Sequence, residues 1–477
     1  MSEQKSVRTS AGASAGVSAS ASAGVSASAS AGSSRVDEVL ERASRAFAAW
    51  RGEPVAARAE MLARAAEVYE RRADEIARQM ARDMGKPVSQ GLAEVRSCAA
   101  ILAHYASEAA RVLQPEAVAL DDGGRAEVRL QPTGVVLGIM PWNYPHYQLV
   151  RCIAPNLLLG NAVVFKHAAV CAGSAAIAER IFAEAGAPEG LVAHSGFSHD
   201  EVFAAIAHPL VAGVSFTGGE AVGAEIARAA GASLTKVVLE LGGSDPFIVF
   251  DSERCDELAR LAAAMRLSNA GQTCVSPKRI IVRRDLLPGF VNTFSAEFLS
   301  ARAGDPLLAE TVLGPLSSAA AADELRGAVR SAQRGGAEVR GDLTRDDADP
   351  RRFAPVVLLE PLRDQPVWRR ELFGPVAMIV GADSVDEAIA LANDSPYGLG
   401  ATAFADTEEA AQRFAAEIDA GMVSVNRVRG GSPALPFGGV KRSGFGRELG
   451  VQGVREFANQ QLVVIDEGRS ADGARIA

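Results

Sequence analysis

Val211-Ala212-Gly213-Val214-Ser215-Phe216-Thr217-Gly218-Gly219-Glu220-Ala221-Val222-Gly223 reads as a strand, a glycine-rich turn and the start of a helix. The run Val211 to Phe216 is short, apolar and closed by turn residues, as a buried strand should be. From Ala221 to Ala230 the spacing becomes helical, and Thr235 to Leu239 returns to a strand pattern. Strand, helix and strand in this order predict parallel strands joined by a crossover helix. The turn stands where helix N-terminal amides meet a pyrophosphate in such folds, although it is not Gly-x-Gly-x-x-Gly and is a weak signal in isolation.

The alternation extends both ways. Upstream lie a strand at Ala162 to Phe165 and a helix through Ala172 to Ala185. Before them come strand patterns within 126 to 139, bent at Pro132-Thr133-Gly134, and helical spacing from Val36 to about Met84. Downstream, strands are expected at Arg279 to Val282, Val356 to Leu358, Val376 to Val380, Ala401 to Phe404 and Met422 to Asn426, with a helix from Ser384 to Asn393. The expected fold class is α/β, with two parallel-sheet domains. The late apolar run Gln460 to Ile465 would be an exposed edge unless another subunit paired with it. Residues 10 to 34 are almost all Ser, Ala and Gly, with Ala-Gly-Val-Ser-Ala-Ser-Ala-Ser repeated in tandem from Ala15 to Ser30, and are read as a disordered tail.

With 477 residues, 48% hydrophobic and 22% charged, the chain can bury a large core. A net charge of -9 argues against a nucleic-acid surface, which needs clustered Lys and Arg. No window has the roughly 18 uninterrupted apolar residues of a membrane span, and the N-terminus lacks secretory-signal order, so the expected compartment is the cytoplasm. Five cysteines without CxxC or metal spacing fit reduced thiols, and no metal site is expected.

Chemistry is suggested at a few positions. Cys274 closes Asn269-Ala270-Gly271-Gln272-Thr273-Cys274, a sequence able to turn tightly and present sulfur beside backbone amides. Most cysteines are small buried hydrophobes, and that reading holds for the other four. Glu240 opens Glu240-Leu241-Gly242-Gly243; alone it is more often a strand-end surface carboxylate. A thiolate nucleophile and a base that activates water are what an acyl-enzyme route requires. Asn143, in Pro141-Trp142-Asn143-Tyr144-Pro145, is held by two prolines as a fixed donor for an oxyanion, or is a turn residue. Lys166 ends a strand, where it either reaches a ribose or phosphate or is simply solvated.

Together these segments resemble the aldehyde dehydrogenase superfamily from about Val36 to Ile465, most like its bacterial succinate-semialdehyde dehydrogenases. The resemblance rests on Pro-Trp-Asn-Tyr-Pro at 141 to 145, Glu-Leu-Gly-Gly at 240 to 243, Gly-Gln-Thr-Cys at 271 to 274, Glu-Leu-Phe-Gly-Pro at 371 to 375 and Pro-Phe-Gly-Gly-Val-Lys at 436 to 441. It implies Cys274 as nucleophile, Glu240 as general base, and Asn143 with the Cys274 amide as oxyanion hole. It also implies cofactor contacts at Trp142, Lys166, Gly218, Gly223, Glu371 and Phe373, with NAD or NADP as cofactor. Arg151 stands where the succinate-semialdehyde group carries a substrate arginine; its fork suits a carboxylate, and the other reading is a helix-surface arginine. Three positions depart from the family: Ala169 replaces a ribose-binding Glu, which admits NADP, Gly219 replaces a Ser, and Ser268 replaces a second substrate arginine. Carboxylate recognition then rests on Arg151 and loop hydroxyls such as Ser432.

The organisation implied is a tail at 1–34, a Rossmann-like cofactor domain at 35–113 and 133–241, a catalytic domain at 242–440, and a small oligomerisation β-extension from 114–132 and 455–470. The assembly implied is a homodimer or homotetramer. The reaction implied is NAD(P)-dependent oxidation of succinate semialdehyde to succinate through a cysteine thioester. The alternative is a broad-specificity enzyme for uncharged aldehydes.

Overall fold

The computed structural model describes residues 21–121, 124–428 and 430–465, with side chains from Ser34 onward. Its first sheet is built on Val135–Met140, a strand buried along its whole length because every side of it is covered. From there the chain steps outward to Ala162–His167 and Val192–His194, then returns to the other side for Val211–Thr217 and Lys236–Glu240, all parallel. The short strand Gly444–Phe445 closes the edge, antiparallel to Lys236–Glu240. The winding direction reverses between Val135–Met140 and Val211–Thr217. Loops leaving two such neighbours diverge and leave a crevice at their carboxyl ends, where doubly wound sheets bind ligands. Pro141–Pro145 follows one of these strands and Gly218-Gly219 the other.

The second sheet orders Glu338–Gly341, Val356–Leu359, Val376–Ala382, Pro277–Arg283, Asp245–Phe250, Gly400–Ala405 and Met422–Val425; only the first pair is antiparallel. Each sheet has its own hydrophobic core. A third, antiparallel sheet joins Glu116–Ala119, Arg125–Pro132 and Ala458–Ile465, the last pair in register from Ala458 opposite Pro132 to Ile465 opposite Arg125. The α/β class with two parallel sheets is therefore as expected.

The differences from the sequence reading are local. Asp245–Phe250, next to the middle of the second sheet, was not anticipated, because Gly242-Gly243-Ser244 and Asp245-Pro246 punctuate its start. The backbone is helical over Ala21–Trp50, so the first helix runs back into the Ser/Ala/Gly segment read as a disordered tail; residues 1–20 of that segment lie outside the described residues. Extending a helix backwards from Val36–Trp50 needs no new nucleus, and alanine resists it least.

Candidate active site

Helix Cys255–Leu267 descends from the second sheet, and the segment 268–276 that follows carries the thiol back to strand Pro277–Arg283. Asn269, Ala270 and Gly271 take left-handed φ of 52, 53 and 72° in succession. Such a backbone costs about 1–3 kcal/mol at a non-glycine residue and needs outside support. Arg266, 0% exposed, supplies it: the guanidinium donates to the carbonyl of Gly271 at 3.0 Å, to Ser276 Oγ at 2.9 Å, to the carbonyls of Leu372 at 2.7 Å and Val376 at 2.9 Å, and to that of Gly374. Burial pulls this guanidinium down to about 9. The approach to Gly374 is close enough that a Cβ on Gly271 would stand 2.4 Å from its carbonyl oxygen, so this glycine is needed for both φ and space.

The Pro141–Pro145 loop lies against this turn. Asn143, 4% exposed, donates through Nδ2 to the Gln272 carbonyl at 3.0 Å, and its own carbonyl accepts from Asn269 Nδ2 at 2.8 Å. Tyr144 Oη and Thr273 Oγ1 are 3.2 Å apart. Lys278, also fully buried, donates to the carbonyls of Thr273 and Cys274, both at 2.7 Å, and pairs with Glu371 Oε1 at 3.2 Å. Glu371 Oε1 in turn accepts from the Gly243 amide at 3.0 Å. One lysine thus ties the cysteine turn, the 240–243 turn and the 371–375 motif together. The sequence reading passed over Arg266 and Lys278, and only their nearness in sequence to Cys274 hinted at them.

Cys274 itself is partly exposed, and removal from water pushes its thiol up to about 11 against the pull of Lys278 and Arg151. Glu240, 2% exposed, ends its strand with its carbonyl accepting from the Gly218 amide at 3.0 Å. Two cavities meet at Cys274 and Gln148. The larger, about 410 Å³, is lined among others by Trp142, Asn143, Gly218, Glu240, Glu371 and Phe373. The other, about 300 Å³, is lined by Tyr144, Tyr147, Arg151, Ser268, Gly431 and Phe437 among others. Trp142 and Phe373 are in edge-to-face contact on the wall of the first, their ring centres 5.7 Å apart.

The lining of the larger cavity suits the nicotinamide and pyrophosphate end of a dinucleotide. Gly219 is the N-cap of helix Glu220–Ala232, its Cα has nothing within 4 Å where a Cβ would stand, and the helix N-terminus opens into the cavity. Gly223 plays a different part, for it lies inside that helix and a Cβ there would meet Leu241 Cδ2 at 2.5 Å. It allows helix and strand to pack and does not line the cavity. Lys166, half-buried at its strand end, lines neither cavity.

In the second cavity Arg151 is 2% exposed and is not a helix-surface arginine. Its Nε donates to Glu448 Oε2 at 2.6 Å, its Nη2 faces the same oxygen, and its guanidinium stacks 4.0 Å from the Phe437 ring. Ser432 is exposed, and its neighbour Gly431, not Ser432, lines the wall. Among the described residues no cluster of His, Cys, Asp and Glu could hold a metal ion, and no helix is long and apolar enough to cross a membrane.

A thiol and a carboxylate lining one cavity with a glycine-rich helix N-terminus suit an oxidoreductase that holds its substrate on sulfur while a nucleotide lies alongside. Residues 12–463 match the aldehyde dehydrogenase family. A succinate-semialdehyde dehydrogenase (NADP+) of Deinococcus radiodurans is 44% identical over 431 residues, 90% of each chain. The succinate-semialdehyde dehydrogenase (NADP+) 1 of Mycobacterium tuberculosis is 38% identical over 432 residues, 90% of this chain and 94% of the relative. The crystal structure of succinic semialdehyde dehydrogenase from Streptococcus pyogenes in complex with NADP+ superposes with a TM-score of 0.87 at 40% identity, covering 90% of this chain and 94% of that one. The chain belongs to the aldehyde dehydrogenase family, and it is an NAD(P)-dependent enzyme of aldehyde oxidation.

Proposed function

We propose that this chain oxidises succinate semialdehyde to succinate, with Cys274 as nucleophile, Glu240 as general base and Asn143 as oxyanion donor. The observation that carries the reading is that the two cavities meet at Cys274, one fitted for a dinucleotide and the other bearing Arg151. In the first, the Gly218-Gly219 turn takes the pyrophosphate, Glu371 a ribose, and Trp142 and Phe373 pack beside the ring; Lys166, at its strand end beyond the wall of this cavity, takes the second ribose where the dinucleotide runs past that wall. Bound there, the dinucleotide supplies the hydride acceptor.

Cys274 Sγ adds to the aldehyde carbon as its thiol proton is taken up by Glu240, which lines the same cavity. The oxygen that becomes negative is met by the Cys274 amide and by Asn143 Nδ2, whose first proton is fixed on Gln272 and whose second is left to donate. Hydride loss from that carbon leaves a thioester on Sγ. Glu240 passes the thiol proton to solvent and then takes a proton from water, the hydroxide adds to the thioester, and the acid leaves as the thiolate is released.

Asn143→Ala removes one oxyanion donor and is expected to lower kcat by ~10²–10³ with folding retained. Near-normal turnover in the folded variant would remove Asn143 from the site. Because the Cys274 thiol is held near 11, the ionised fraction without aldehyde falls tenfold for each pH unit below that value. Alkylation of Cys274 by iodoacetamide should rise about tenfold per unit from pH 7 to pH 10; a plateau near pH 8 would show a thiol already activated at rest. Rapid quenching during turnover followed by intact-mass measurement checks the central intermediate, and turnover with no acyl adduct at Cys274 in any time window would sink the thioester route.

Recognition of the distal carboxylate falls to Arg151, with Ser432 next in the chain to Gly431 of the same wall. Ala169 brings no carboxylate to repel a 2'-phosphate, and the relatives just described are named for NADP+. A second reading, oxidation of uncharged aldehydes, is favoured by Glu448, which already neutralises Arg151. The described strand Ala458–Ile465, with Leu462 and Val464 more than half exposed, is the surface for pairing into a dimer or tetramer, and five free thiols suit the cytoplasm.

A further inference from the structure

Lys86 and Glu94 form an ion pair whose side chains are both 0% exposed, at the wall of the cavity that holds Arg151. Two residues without solvent contact give this pair little value as a stability device, since desolvation offsets most of the attraction. What each group touches besides its partner suggests another use. Lys86 Nζ lies 3.6 Å from the centre of the Tyr144 ring, a cation held on an aromatic face in a water-free setting. Tyr144 Oη reaches Thr273 Oγ1, the residue before Cys274, and Tyr144 follows Asn143 in the chain. Glu94 Oε1 accepts from the backbone amides of His146 at 2.9 Å and Tyr147 at 3.0 Å. These begin helix Tyr147–Leu159, which has no side-chain cap of its own and carries Gln148 and Arg151.

We propose that Lys86 and Glu94 are a positioning pair that seats the Pro141–Pro145 loop and the start of the Arg151 helix against the Cys274 turn, so that turnover of every aldehyde depends on it. The proposal rests on the roles given above to Asn143 and Cys274. The lysine acts through Tyr144 and Thr273, the carboxylate through two helix amides, and neither side chain reaches the reacting carbon.

The test uses Lys86→Met, Glu94→Gln and the double variant in the full chain. Lys86→Met keeps the stem and removes the charge; Glu94→Gln keeps an oxygen for the two amides. The double variant, neutral at both sites, keeps the test open should a single variant leave an unpaired buried charge and fail to fold. A displacement of reacting groups by about 1 Å can cost ~10² in rate, so kcat is expected to fall at least about tenfold with both succinate semialdehyde and an uncharged aldehyde, with NADP affinity within about twofold. Hydrogen–deuterium exchange is expected to quicken in peptides covering 141–147 and 269–276 and nowhere else. Because exchange needs no turnover, it reads the positioning role even if the proposed reaction is wrong. Wild-type kcat with unchanged exchange in folded variants would overturn the proposal. A loss confined to KM for the acid-bearing aldehyde would also overturn it, by making Lys86 a direct carboxylate contact.

Discussion

Cys274→Ala is expected to leave a folded protein that binds NADP and oxidises nothing, with turnover down by ~10⁴ or more, because no other group at the junction of the two cavities can form the covalent intermediate. The other four cysteines do not substitute: Cys98, Cys152 and Cys171 are buried, and Cys255 begins helix Cys255–Leu267 and lines neither cavity. The fold should survive because the turn is held by backbone carbonyls and not by the thiol. Arg266 and Lys278 bond to carbonyl oxygens that alanine keeps. Cofactor titration by fluorescence and a thermal melt check the two halves of this result; measurable aldehyde-dependent NADPH formation in the variant would place the nucleophile elsewhere.

Glu240→Gln has the second largest expected effect, a fall in steady-state rate of ~10²–10⁴, since a general base contributes that much to proton transfer. The form of the loss is more informative than its size. The amide cannot take a proton from water, so the thioester should persist after hydride has left. Where acylation still occurs, reduced cofactor appears as a burst of about one per site and then nearly stops, with the acyl group on Cys274 detectable by mass. A variant that neither bursts nor accumulates adduct shows that Glu240 is needed already to take the thiol proton, consistent with a thiol held near 11. Unaltered steady-state turnover is the result that removes the base assignment. Glutamine is close in size to glutamate, which matters because a Cβ at Gly438 would already stand 2.8 Å from Glu240 Oε1 and the space is tight.

The strand–turn–helix at 211–223 was legible because a buried parallel strand is an unbroken apolar run and its helix has a separate period. Asp245–Phe250 was not, because Gly-Gly-Ser and Asp-Pro at its start look like a loop. Motif residues whose neighbours are glycines or prolines, such as Asn143 and Glu240, could be singled out, for those neighbours restrict the backbone around them. Arg266, Lys278, Lys86 and Glu94 could not. Each is one charged residue in a helix or beside a turn, and what marks it is burial against groups the linear sequence does not pair with it: carbonyls over a hundred positions on for Arg266, the cysteine turn for Lys278, the Tyr144 ring for Lys86 and the His146 and Tyr147 amides for Glu94. The resemblance implies cofactor contacts at both Gly218 and Gly223, yet Gly218 lines the cavity while Gly223 exists for Leu241. That distinction depends on the distance to a neighbouring element, which a linear pattern does not contain. Arg151 was legible as a charge but its partner was not, since Glu448 follows it by 297 positions.

That partner makes the substrate the sharpest question. The most direct measurement is the initial rate of NAD(P)H formation with succinate semialdehyde and with an uncharged aldehyde of similar length, each with NADP and with NAD. The account predicts a kcat/KM at least about tenfold higher for the acid-bearing aldehyde, the value of one good charge-assisted contact, and activity with NADP. Equal kcat/KM for the two aldehydes would contradict it, leaving Arg151 as the buried partner of Glu448 and the enzyme as one for uncharged aldehydes.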